Sequence, residues 1–291
     1  MASKLIRSMV VEAIAAQPAV VKRWLMRHPR LLLGVLFRLE RGDMVVTYAG
    51  PSGHRFKMKL KWQDHTEFVL GTYEPEFFRA LREYLRPNDT CLDVGGNLGY
   101  YCLLMSGLVG SRGRVITFEP VAENLAVLRE NILLNAADNI ELVSTALGAQ
   151  PGVMQLIRSD AEVVSATPSV RGYAVEGPRS TMDVMVDTLD AFLETRNCRP
   201  SVIKIDVEGA EMEVLRGASN TLRTARPVVL LEVHGWGAAT GSEVREFFTP
   251  FGYSLSLMGE RGHEAFCLAI PQDANRSGNG LTPSSNGSNQ K

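Results

Sequence analysis

Thr90-Cys91-Leu92-Asp93-Val94-Gly95-Gly96-Asn97-Leu98-Gly99-Tyr100-Tyr101 is the stretch on which the fold turns. The run from Cys91 to Val94 has the character of a short buried strand. It breaks into Gly95-Gly96-Asn97-Leu98-Gly99 and passes at once into a helical pattern over 100–108. A strand, a glycine turn and a helix N-terminus form the small-molecule site of an open α/β sheet. Gly95 and Gly96 can take backbone angles closed to other residues, so a ligand can lie against bare amides.

Spacing narrows the ligand. A dinucleotide fingerprint beginning at Gly95 would need glycine where Asn97 and Tyr100 stand, and a P-loop would need Gly-Lys-Ser/Thr after the turn. Neither is present. The pattern is Asp-x-Gly-x-x-x-Gly, with Asp93 at the end of the strand and Gly99 closing the turn. The next strand, 114–118, ends in Glu119, and a carboxylate there is the usual partner of two ribose hydroxyls. A ribose without a phosphate device points to S-adenosylmethionine.

Outward from this stretch, strands and helices alternate. Downstream come helix 121–135, strand 139–144, a strand-rich excursion over 153–186, helix 187–195 and strand 201–207. Helix 210–218, strand 227–233, helix 242–250 and a hairpin of 253–258 with 263–270 complete the series. Upstream, 44–48 and 55–61 alternate around Gly50-Pro51-Ser52-Gly53 as a hairpin, and an amphipathic helix covers 76–85. Five parallel strands closed by an antiparallel pair predict a doubly wound sheet. The expected organisation is a basic helical extension over 1–42, a hairpin and helix over 43–89, the cofactor-binding domain over 90–271, and a tail over 272–291 disordered by its Ser, Asn and Gly content.

A chain of 291 residues, 45% hydrophobic and 22% charged, suits a soluble globular protein with an ample core. Its net charge of −1 gives no overall electrostatic case for nucleic acid. The charge is unevenly spread: residues 1–42 hold eight Lys and Arg against two Glu, so the rest carries a net −7. That basic segment, with its aliphatic run 31–37, suits a lid on the catalytic domain, a peripheral contact with an anionic membrane, or a docking point for a partner protein. Four scattered cysteines without a C-x-x-C pair predict buried thiols and a cytoplasmic setting. No apolar run near the start is long enough for a signal peptide or a membrane span.

Several blocks taken together resemble the FkbM-type S-adenosylmethionine-dependent methyltransferases. They are Gly71-Thr72-Tyr73-Glu74, the stretch 92–100, Phe118-Glu119-Pro120 with Asn124 and Asn131, Ala146-Leu147-Gly148, Val202-Ile203-Lys204-Ile205-Asp206-Val207-Glu208-Gly209-Ala210-Glu211, and Leu231-Glu232-Val233-His234. The resemblance covers more than half of the chain. Gly96 stands where the family more often has Ala, a departure expected to be harmless. The resemblance implies the seven-stranded class I methyltransferase fold. It also implies methylation of a hydroxyl oxygen on a sugar, glycan or glycosylated metabolite. Transfer to nitrogen or carboxylate, or a non-catalytic cofactor-binding module, are the alternatives. Asp93, Gly95, Gly96, Asn97, Gly99, Glu119, Asn124 and Ala146 are the expected cofactor residues.

Methyl transfer from a sulfonium is an in-line displacement, so alignment comes first and removal of the hydroxyl proton second. Candidate catalytic residues lie at the ends of the fourth and fifth parallel strands. Lys204, Asp206 and Glu208 alternate and would share a face if one strand ran through all three. Glu232 and His234 share another. With an ordinary imidazole near 6.5, His234 is the expected general base and Glu232 its orienting partner. Asp206, Glu232 and His234 are also a candidate set for a divalent cation, with magnesium favoured by oxygen ligands. His28, His54, His65 and His263 fall on helix ends or turns.

Overall fold

The computed structural model describes Val21 and residues 43–49, 55–61, 73–159 and 179–272. The expectations for the basic segment, for Gly71 and Thr72, for the loop around 160–178 and for the tail lie outside these residues.

Strands β3 (Thr90–Val94), β4 (Arg114–Phe118), β5 (Ile140–Val143), β9 (Val202–Ile205) and β10 (Val228–His234) form the parallel body of a seven-stranded sheet. The hairpin β11 (Tyr253–Arg261) and β12 (Glu264–Pro271) completes it. The order across the sheet is β5-β4-β3-β9-β10-β12-β11, with β12 antiparallel to both its neighbours. This is the expected fold class. The chain leaves β3 toward β5 on one side and returns through β9 toward β10 on the other, so the order reverses between β3 and β9. Ligands of such sheets bind beyond the carboxyl ends of the strands at that reversal.

Alternation along each strand sorts the core into two layers. Cys91, Val115, Val202 and Leu230 face helices α1 (Pro75–Tyr84), α2 (Tyr100–Val109) and α3 (Ala122–Leu134). Leu92, Val94, Phe118, Ile205 and Leu231 face α4 (Leu189–Glu194), α5 (Glu211–Arg216), α6 (Ser219–Thr224) and α7 (Ala238–Phe248). Cys91, Cys102 and Cys267 are buried free thiols, and Cys198 is half-buried. Among the described residues no helix is long and apolar enough to cross a membrane.

Two smaller sheets flank this body. β1 (Asp43–Ala49) and β2 (Arg55–Lys61) pair as the expected hairpin. Its free edge is satisfied by two asparagines one turn apart on α3. Asn131 accepts from Lys59 N–H at 2.6 Å and donates to Lys59 C=O at 3.2 Å, and Asn135 does the same for Lys57 at 2.7 Å each. The strand-rich excursion folds as a three-stranded sheet in the order β6 (Ala146–Leu147), β8 (Arg179–Asp187), β7 (Gly152–Ser159).

Two boundaries differ from expectation. β9 ends at Ile205, not at 207, because the backbone turns left-handed at Glu208 (φ 54) and Gly209 (φ 102). Lys204, Asp206 and Glu208 therefore do not share one strand face. The helix expected over 210–218 is shorter and is followed by α6. Asp190 from α4 caps α6 by accepting from the N–H groups of Asn220 and Thr221 at 2.8 and 2.7 Å.

Candidate active site

A cavity opens at the β3/β9 reversal, with about 690 Å³ of empty space counting the solvent at its mouth. Gly95 and Asn97 come from the turn after β3, Glu119 and Asn124 from the β4–α3 connection, and Asp206 and Glu208 from the turn after β9. Ala146, Leu147, Met154 and Leu156 from the small sheet supply an apolar wall. Of the expected cofactor residues, Gly95, Asn97, Glu119, Asn124 and Ala146 lie on this cavity. Asp93, Gly96 and Gly99 stand behind it.

The three glycines of the turn each have a backbone or packing reason for their place. A Cβ on Gly95 would sit 1.8 Å from the carbonyl oxygen of Asp206, so only glycine lets the turn pass against β9; its φ of +89 requires glycine as well. At Gly96 a Cβ would meet Thr117 Oγ1 at 2.2 Å. The departure from the family's alanine is thus fitted to Thr117 in this chain, not neutral. Gly99, at φ +99, is the N-cap of α2, and no side chain caps that helix.

Glu119 is buried at the base of the cavity and its carboxylate is already engaged. It accepts from Asn97 N–H at 2.8 Å, from Val121 N–H at 2.9 Å and from the Asn124 amide at 3.3 Å. Burial pushes its pKa up while these three bonds pull it back. A carboxylate offers about four acceptor positions, so room for a further donor remains. Asn97, at φ 45, accordingly acts through its backbone on Glu119 and not as a helix cap.

Behind the turn lies a buried polar layer on the α1–α2 side of the sheet. Asp93 and Lys204 are register partners on neighbouring strands, both buried, with Nζ 3.5 Å from Asp93 Oδ1 and 3.1 Å from Asp206 Oδ2. Nζ also donates to the carbonyl of Gly95 at 3.3 Å and lies 4.9 Å from the centre of the Tyr101 ring. Burial disfavours the ammonium, yet Asp206, Asp93 and Glu74 outweigh it and hold Lys204 charged beyond its usual range. Lys204, expected among the candidate catalytic residues, is a buried cation paired with Asp93 and Asp206. Glu74 caps α1 from a left-handed backbone (φ 37), and Tyr101 O–H donates to it at 2.5 Å. Burial, then the charge of Asp206, brings Glu74 up to about 7.

His234 requires a correction. It lies at the carboxyl end of β10 beside the strand leading to Asp206, as expected, but its ring is held between two carboxylates. Nδ1 is 2.8 Å from Glu211 Oε1 and Nε2 is 3.2 Å from Glu208 Oε2. Burial opposes the charged ring, but Glu211, Glu208 and Asp206 prevail and raise its pKa to about 10. His234 is not among the residues lining the cavity, and Glu211 and Glu208 stand against its two ring nitrogens, so this geometry does not present the expected base to an acceptor there. Glu232 does not orient the ring. It lies 3.7 Å from Arg261, and burial with Asp206 and Glu74 nearby pushes it up to about 10.

Seven carboxyl groups (Glu74, Asp93, Asp206, Glu208, Glu211, Glu232 and Glu264) thus gather around the three cations Lys204, His234 and Arg261. Glu74 and Glu211 were not among the expected site residues. Both sit in quoted sequence blocks, but their partners are distant in sequence: Tyr101 and Arg261 for Glu74, His234 for Glu211. His263 is exposed in the turn of the last hairpin, and the other three histidines lie outside the described residues.

The cavity can be tested against a nucleoside sulfonium. Among its described lining residues there is no Lys or Arg to meet a phosphate, while Glu119, Asp206 and Glu208 bring three carboxylates to it. An apolar wall for a flat base, a buried acid for a ribose and an anionic far end for a cation are the complementary features. The residues present fit the group.

The domain family described as the methyltransferase FkbM domain matches residues 93–255. The hexuronic acid methyltransferase AglP of Haloferax volcanii is 27% identical over 165 residues, which cover 55% of this chain and 62% of AglP. This chain therefore spans less than two thirds of that relative's length. Methyltransferase 1 of Beauveria bassiana is 25% identical over 202 residues, 64% of this chain and 76% of that protein. The crystal structure of an FkbM methyltransferase from Methylobacillus flagellatus KT aligns at 20% identity and a TM-score of 0.43, covering 70% of this chain and 52% of that one.

Proposed function

The chain belongs to the FkbM methyltransferase family, and from that premise we propose an S-adenosylmethionine-dependent O-methyltransferase that acts on a hydroxyl of a sugar, a glycan or a glycosylated metabolite. The observation that carries the reading is the cavity at the β3/β9 reversal, with Glu119 at one end and Asp206 and Glu208 at the other. S-adenosylmethionine supplies the methyl group from its sulfonium when bound. Glu119 and Asn124 would take the ribose, and Ala146, Leu147 and Leu156 the base. Asp206 would face the amino-acid end, since the N–H groups of Gly95, Gly96 and Asn97 are taken by the Phe118 carbonyl and Glu119. Lys204 keeps Asp206 and the Gly95 carbonyl in position through its contacts to both.

The hydroxyl proton would pass to Asp206 or Glu208, the carboxylates on the cavity. An alcohol oxygen that has taken a methyl group is a strong acid, so a carboxylate suffices and no neutral imidazole is needed. His234 holds Glu208 and is a positioning residue in this account. A sugar acceptor is supported by the name of the relative from Haloferax volcanii.

The test is incubation of the protein with methyl-tritiated cofactor and a panel of neutral and uronic-acid oligosaccharides. Label that survives mild alkali is an ether and supports the reading. Alkali-labile label is a methyl ester and would move the acceptor to a carboxylate. Cofactor binding without transfer to any acceptor, including extracts of the source cell, would favour a binding module.

A further inference from the structure

One ligand atom each from Asp206, Glu208 and His234 lies within 4.8 Å of the other two. His234 is the last residue of β10, and the left-handed turn after β9 swings Glu208 back toward it. A fourth group aims the ring. Glu211, buried at the start of α5, faces Nδ1 at 2.8 Å and is itself fixed by the N–H of Gly209 at 2.7 Å. A carboxylate on the far nitrogen is how metal-binding imidazoles are oriented. Nε2 is thereby turned to Glu208 Oε2, 3.2 Å away. Two cis ligands of an octahedral ion with bonds of about 2.1 Å stand about 3.0 Å apart, so this spacing suits atoms that share one ion.

The geometry points to a divalent-cation site made by Asp206, Glu208 and His234 Nε2, with Glu211 orienting the ring. It differs from the set expected from sequence, in which Glu232 stood in place of Glu208. An alternative grouping of Glu232, His234 and Glu264 already holds the guanidinium of Arg261, 3.7 Å from Glu232 and 3.0 Å from Glu264. The imidazole favours a first-row transition ion, and the two carboxylates also suit Mn2+, which serves as the probe.

The test titrates Mn2+ into the EDTA-treated full chain without cofactor, following the electron paramagnetic resonance signal of the free ion. One saturable ion per chain is expected. His234→Ala and Glu208→Gln should each weaken it at least tenfold, and Glu211→Gln by about ten- to a hundredfold through the ring it orients. Melting curves establish that each variant is folded. Glu208 is 37% exposed, so its variant serves even where His234→Ala misfolds. A free-ion signal that rises linearly from the first addition would overturn the site, as would binding unchanged in Glu208→Gln. Because no cofactor is present, this outcome is separate from that of the methyl-donor reading.

Discussion

Glu119 shows how one side chain can serve both fold and ligand. The strand-end acid was legible from its place after β4. Its hydrogen bonds to Asn97 and Val121 were not, because they depend on how the glycine turn folds back. Glu119→Ala should therefore lower the melting temperature as well as cofactor affinity, whereas Glu119→Gln keeps the volume and isolates the ligand effect. Glu74 gives a pH signature. Its folded pKa of about 7 lies above the usual 4.5, so the folded state holds a proton that the unfolded chain has lost. The stability this contributes is fully present below 4.5 and is lost as pH rises through 7. A shift of that size is worth on the order of 3 kcal/mol. Glu74→Gln should raise the melting temperature by several degrees at pH 8 and leave it nearly unchanged at pH 4.5. Equal changes at both pH values would show that the carboxyl is ionised throughout. At Gly96, alanine would force Thr117 from Asp93, to which it donates at 3.4 Å. The predicted result is a lower melting temperature for Gly96→Ala, restored in part by adding Thr117→Ala.

At the scale of elements, what the chain makes plain is periodicity, and what it conceals is how elements meet. The five buried strands and the two hairpins follow from apolar runs and turn residues. The role of Asn131 and Asn135 as substitutes for a neighbouring strand does not, since asparagine on a helix surface has no periodic signal. Asn131→Ala removes the side chain that accepts from Lys59 N–H and donates to Lys59 C=O at a part-buried edge. Each such loss costs about 1–3 kcal/mol, so chemical denaturation should show a destabilisation of at least about 2 kcal/mol with the hairpin still paired. The end of β9 departs from the sequence pattern for a related reason. Lys204, Asp206 and Glu208 alternate as strand residues do, but Gly209 permits a turn that takes Glu208 to His234 instead. Local pattern predicts a continued strand; the tertiary pairing with Glu211 and His234 holds the left-handed turn.

For the whole molecule, the order of strands and helices made the doubly wound sheet legible, and the reversal between β3 and β9 then located the cavity. The strand-tip acids were readable for the same reason, because they follow directly from strand ends. The electrostatics were not readable, since the pKa shifts of His234, Glu232 and Glu74 arise from burial and from carboxylates of two segments distant in sequence, Glu74 and Asp206 to Glu211. The central claim is that the cavity between Gly95, Glu119 and Asp206 binds S-adenosylmethionine. Calorimetric titration of the wild-type chain and of Glu119→Gln tests it most directly. A charged hydrogen bond is worth about 1.5–3 kcal/mol, which corresponds to about a tenfold to a hundredfold change in affinity. The account predicts one saturable site per chain in the wild type and a loss of that size in the variant, with its melting curve still cooperative. No heat of binding in the wild type, or equal affinity in the two proteins, would contradict it.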